Sequence, residues 1–118
     1  MTEVGTEETD LAGGVAVLRA ARSLTFDQGN LGLRRQVDAQ LHAGARLFAL
    51  DLSGVTEIDS YGIAELVSCH TAVTRRDGRL VLCAPSAKVR QVLAVTRLDG
   101  VIEAFASEAA AVAGLQQV

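Results

Sequence analysis

Apolar and polar positions switch between two periods along this chain. Val15 to Arg19 has strand character, with Val15, Val17 and Arg19 on one face and Ala16 and Leu18 on the other. Phe26 to Asn30 reads as a loop with two helix-cap candidates, Asp27 and Asn30. From Leu31 to about Ala43, Leu33, Val37 and Leu41 recur at four-residue spacing, the buried stripe of an amphipathic helix. Arg34, Arg35, Asp38 and Gln40 take its wet side, and Gly44 supplies a stop. Arg46 to Leu52 is mostly apolar and short enough for a strand, with Asp51 at its end; Ser53-Gly54 is turn chemistry. Asp59-Ser60 signals a helix start, because either side chain can accept from the free N–H groups of a first turn. The helix predicted from Ser60 to about Arg76 puts Ile63, Leu66, Val67, His70 and Val73 near one face. Arg75 and Arg76 fall in its last turn, where cations suit the helix dipole.

The same alternation continues to the end. Asp77-Gly78 is a turn, and Arg79 to Cys83 reads as a strand whose Leu80, Val81, Leu82 and Cys83 are continuously apolar, as in a strand covered on both faces. Ala84-Pro85-Ser86 opens a third helix with Val89, Val92, Leu93 and Thr96 as its stripe, closed by Leu98-Asp99-Gly100. Val101 to Phe105 is read as a last strand. Ser107 caps a closing helix from Glu108 to about Leu115, and Gln116 to Val118 is a tail. At the other end, Met1 to Asp10 is either a frayed terminus or a weak edge strand, and Leu11 to Gly14 reads as a turn. Strands that alternate with helices argue for a mostly parallel sheet with helices packed on it. No repeat, linker or low-complexity tract interrupts residues 1–118, apart from the alanine-rich end, so one domain is expected.

Composition narrows the chemistry. A chain of 118 residues with 49% hydrophobic content can enclose a core. Aromatics are 3%, so that core is built from Leu, Val, Ile and Ala. The formal charge of -3 and the scattered arginines show no basic patch for nucleic acid. No apolar run reaches the length needed to span a bilayer, and the acidic first ten residues carry no signal pattern; a cytoplasmic location is expected. Cys69 and Cys83 lack metal-type spacing and are read as free thiols of a reducing compartment. His42 and His70 sit on different predicted helices, and neither a nucleophile elbow, a Gly-rich phosphate loop nor a His-rich metal motif appears. Asp51, at a strand's carboxyl end, is expected to brace the following loop through backbone N–H groups. A metal would need converging oxygens from acids such as Asp51, Asp59 and Glu65, and the sequence shows no such convergence. No cofactor is expected.

The stretch from Ala49 to Leu66 resembles the signature of the STAS domain, and within that family the bacterial anti-sigma factor antagonists. The family pattern is a hydrophobic strand, an Asp or Asn, a short loop, then Asp-Ser-Ser-Gly opening a helix. Here Asp51 ends the strand and Asp59-Ser60-Tyr61-Gly62 opens the helix, with Tyr61 in place of the second serine. Val81 to Pro85 and Arg97 to Ile102 support the match. Ala21 to Thr25 replaces the family's Gly-Glu-Leu-Asp-like segment. The resemblance implies the STAS fold: a small, mostly parallel central sheet of about four or five strands, with about four helices mainly on one face. It implies a non-enzymatic switch that sequesters an anti-sigma factor with serine kinase activity and releases it when Ser60 is phosphorylated, with a phosphatase as the reset. Nucleotide and magnesium then belong to the partner. The partner-binding surface so implied comprises Ser53, Glu57, Asp59, Ser60, Tyr61 and Gly62.

Other readings compete at each of these residues. Serine at this position is also an ordinary helix cap. Asp59 is a cap, a general base or a magnesium ligand, and the cap is the assignment adopted. Tyr61 either faces a partner, as an amphipathic ring suits an interface, or packs on the loop. At the level of function, a constitutive STAS scaffold module in a larger signalling or transport assembly predicts binding insensitive to a charge at Ser60. A small-ligand or enzymatic α/β domain predicts a polar pocket with converging acids or histidines.

Overall fold

A computed structural model describes residues 6–12, 14–26 and 32–117. The chain runs β1 (Thr6–Ala12), β2 (Val15–Ala20), β3 (Ser23–Leu24), α1 (Gly32–His42), β4 (Leu47–Asp51), β5 (Glu57–Ile58), α2 (Ser60–Arg75), β6 (Arg79–Cys83), α3 (Ala87–Val95), β7 (Ala104–Phe105) and α4 (Glu108–Gln116). The main sheet has the order β1-β2-β4-β6-β7. β1 is antiparallel to β2, and every other pair is parallel. A second, two-stranded parallel sheet joins β3 to β5.

Side-chain parity explains why the central strands read as unbroken apolar runs. Ala16, Leu18, Phe48, Leu50, Leu80 and Leu82 point to one face and pack on α1, α2 and α3. Val15, Val17, Ala49, Val81 and Cys83 point to the other and are covered by Ala111 and Leu115 of α4. Both faces of a parallel sheet must be buried, so both parities are apolar. Three helices on one face and one on the other make this the α/β STAS arrangement the resemblance implies.

Several boundaries differ from the sequence reading. Leu11 and Ala12 belong to β1 rather than to a turn, because they complete the hairpin register, Ala12 opposite Val15. The edge-strand reading therefore holds for Thr6 to Asp10; Met1 to Gly5 and the cap candidates Asp27 and Asn30 lie outside the described residues. The last strand shrinks to Ala104–Phe105, since Leu98–Gly100 coils into a 3-10 turn and Ile102 is drawn into the core. On α2 the buried positions are Gly62, Glu65, Leu66, Cys69 and Val73. Val67 is exposed and His70 half-buried, so the stripe is rotated toward Cys69. Gly44 does end α1, in the left-handed region, with Gly44 N–H on Leu41 O and Ala45 N–H on Gln40 O.

Candidate functional site

The loop after β2 and the loop before α2 are stitched together by the small β3–β5 sheet. Ser23 pairs with Glu57 and Leu24 with Ile58, while Thr56 N–H donates to Arg22 O at 2.8 Å and Asp59 N–H to Leu24 O at 3.2 Å. Two loops that would otherwise wander thus become one platform at the mouth of α2.

Asp59 is the N-cap of α2. Its Oδ1 accepts from Tyr61 N at 2.9 Å and Gly62 N at 3.2 Å, and its Oδ2 accepts from Phe26 N at 3.1 Å. One carboxylate therefore closes the helix terminus and clamps the loop that precedes α1. The Phe26 N–H, joined by those of Gly62 and Tyr61, holds the Asp59 carboxyl below the usual carboxylate range. With the cap supplied by Asp59, Ser60 is released from that duty. It is the first residue of α2, it is exposed, and its hydroxyl makes no hydrogen bond among the described residues.

Tyr61 is exposed and its ring lies 4.5 Å from that of Phe26, tilted by 31°. Of the chain's three phenylalanines and one tyrosine, these two form a stacked, exposed pair beside Ser60, whereas Phe48 and Phe105 pack against the cores. Tyr61 thus packs on a loop ring and keeps its other side in solvent. Gly62 is not a surface residue. A Cβ there would sit 2.1 Å from Leu24 O, so glycine is what lets α2 approach β3. Ser53 is exposed on the adjoining loop and Glu57 on β5; Ser53 N–H donates to Asp51 Oδ1 at 2.8 Å, the brace expected of Asp51.

Two clusters escaped the sequence reading. Buried Glu65 accepts Arg34 N–H at 2.8 Å, serving as a cap for α1 from a neighbouring helix. Burial outweighs that hydrogen bond and raises its carboxyl. At the carboxyl ends of β2 and β4, Arg19 forms a two-pronged pair with Glu108, at 2.8 and 2.9 Å, beside buried Asp51. Burial alone pushes Asp51 up, but hydrogen bonds from Glu108 and Ser53 leave it lowered; the same contact raises Glu108. The sequence signal for the first was an acid on an apolar stripe; the second joins residues too distant in sequence to show one. Asp51, Asp59 and Glu65 occupy three separate networks, and no group of three metal-type ligands occurs among the described residues. Nor is any helix among them long and apolar enough to cross a membrane.

A family model for the STAS domain matches residues 8–111. Among solved structures, a candidate anti-sigma factor antagonist from Thermotoga maritima aligns with a TM-score of 0.84 and 24% identity, covering 93% of this chain and 94% of that one. An anti-sigma factor antagonist from Mycobacterium paratuberculosis gives 0.82 and 17%, covering 93% and 92%. The phosphorylated form of the Bacillus cell fate determinant SpoIIAA gives 0.70 and 18%, covering 92% and 98%. At these identities the likeness is one of fold. No curated protein matches the chain by sequence.

Proposed function

The chain belongs to the STAS domain family, and from that premise we propose that it is an anti-sigma factor antagonist switched by phosphorylation of Ser60. Unphosphorylated, the platform of Ser53, Glu57, Asp59, Ser60 and Tyr61 docks on an anti-sigma factor with serine kinase activity and frees a sigma factor; Gly62 sets the approach of α2 beneath it. Phosphorylated, it lets the kinase go, and a phosphatase restores it. The reaction belongs to the partner, which brings nucleotide and magnesium; this chain supplies the acceptor hydroxyl.

The observation that carries the reading is the division of labour between neighbours: Asp59 caps α2, leaving the exposed Ser60 hydroxyl without a partner among the described residues. A phosphate there adds a charge of about -1.5 to -2. It meets a helix terminus whose Tyr61 and Gly62 N–H groups already serve Asp59. The dipole returns roughly 0.3–1 kcal/mol, and the repulsion from Asp59 that opposes it is screened by solvent. Both are small against a domain stability of about 5–15 kcal/mol. The fold survives, and the modification acts on the surface, where a partner's acidic or apolar patch is repelled or left desolvated. Intact-mass analysis with site mapping, on protein from growing and stressed native cells, tests this. One phosphate on Ser60 that varies with condition is expected; a Ser60 unmodified in every condition sinks the switch and favours constitutive binding.

A further inference from the structure

The packing of α1 on α2 leaves a half-open groove of 310 Å³ toward the far end of α2. It lies away from Ser60, since the helix runs about 22 Å from its first residue to Arg75 at 1.5 Å per residue. Leu41 and Ala72 give it an apolar floor. Ser68 and Thr71 add two hydroxyls, and three guanidiniums line it: Arg34, Arg75 and Arg76. Arg34 is held in place, its Nε on Asp38 Oδ1 at 3.0 Å and its Nη1 on Ser68 Oγ. Arg75 and Arg76 are exposed and make no ion pair among the described residues. Three arginines against Asp38 leave the groove lining positive by two on a chain whose formal charge is -3, with the buried Glu65 carboxyl behind Arg34.

We propose that this groove binds a phosphate monoester with a small uncharged body. Such an ester carries about -1.5 to -2 at neutral pH, which matches the local excess. Guanidinium forks match phosphate oxygens in two-pronged geometry, and the preset Arg34 loses little freedom on binding. The apolar floor suits the organic body. The volume is at the low end for ligand sites, so a sugar-sized body fits and a dinucleotide does not. The negative end of the α2 dipole opposes an anion here by a fraction of a charge, softened because Val73 O and Thr74 O already accept from Arg76, Asp77 and Gly78 N–H groups, and the guanidiniums outweigh it. The site is independent of Ser60 and stands whether or not that residue is modified.

The test is an amide NMR titration of the full chain with glucose 6-phosphate and inorganic phosphate, with sodium chloride at matched ionic strength as control. Saturable shifts confined to 34–41 and 68–76 are expected, with the ester binding several-fold more tightly than phosphate. The double variant Arg75→Gln/Arg76→Gln is expected to weaken the ester about tenfold or more. Arg90→Gln, exposed on α3, leaves it unchanged. Both groove arginines are exposed, so the unliganded spectrum of the double variant verifies that it folds. Shifts that sodium chloride reproduces, or an affinity unchanged in the double variant, overturn the proposal.

Discussion

Replacing Gly62 by alanine drives a methyl group into the backbone of β3. The added Cβ would lie 2.1 Å from Leu24 O, 2.8 Å from Ile58 Cγ1 and 2.9 Å from Leu24 Cβ. Carbon–oxygen contact needs about 3.3 Å, so α2 or β3 must move by roughly 1.2 Å. The Ile58 side chain can turn aside; a carbonyl in a paired strand cannot. Leu24 O also accepts the Asp59 N–H, so the displacement strains the hydrogen bond that ties the cap to the platform. Overpacking costs about 1–3 kcal/mol, and the weakened bond about 1 kcal/mol more. Alanine's better helix propensity returns about 1 kcal/mol. A net loss of about 1–3 kcal/mol corresponds to a fall in Tm of roughly 5–15 °C for a domain of this size. Thermal and urea unfolding followed by circular dichroism read it directly. Substitutions of the Leu24 side chain are expected not to rescue the variant, because the obstacle is a main-chain oxygen. A Tm within about 2 °C of the parent would refute the close-approach argument.

Two further outcomes follow from the same geometry. Asp59→Ala is expected to lower Tm by several degrees and to speed exchange of the Phe26, Tyr61 and Gly62 amides, whereas Asp59→Asn retains most of the cap. Because the folded Asp59 carboxyl is depressed, its contribution is present above the unfolded value near 3.8 and is lost as pH falls through the lower folded one. An acid-denaturation profile of Asp59→Asn that keeps this arm would contradict the assignment. Cys69 and Cys83 are buried; burial pushes both thiols up, Cys83 to about 12. Both are expected to resist alkylation at pH 8 in the folded protein and to react once denatured; labelling of the native form at a free-thiol rate would contradict this.

Much of the fold was legible because long elements carry a period. The α1 stripe of Leu33, Val37 and Leu41 is buried as spaced, and β6 matches its apolar run. β3 and β5 were not legible, since two residues have no period and their pairing is a tertiary event. The α2 stripe was misplaced at Val67 because its apolar neighbours include Cys69, which behaves in a core as a small hydrophobe. The sequence offered both Asp59 and Ser60 as cap acceptors, and the Tyr61 and Gly62 N–H groups both donate to Asp59, as adopted. Gly62, expected on the surface, is buried because close packing of a helix on a backbone leaves no mark in the sequence beyond the glycine itself.

The most direct measurement of the central claim is reconstitution with a kinase-type anti-sigma factor from the same genome, with and without magnesium ATP. Complex formation is followed by calorimetry and phosphate transfer by mass mapping. The unmodified chain is expected to bind and then to be phosphorylated on Ser60. Release should follow, Ser60→Ala should stay bound through the ATP step, and Ser60→Asp should bind at least about tenfold more weakly, a loss of about 1.4 kcal/mol. Equal binding by the parent and Ser60→Asp, or release of Ser60→Ala on ATP addition, would contradict it.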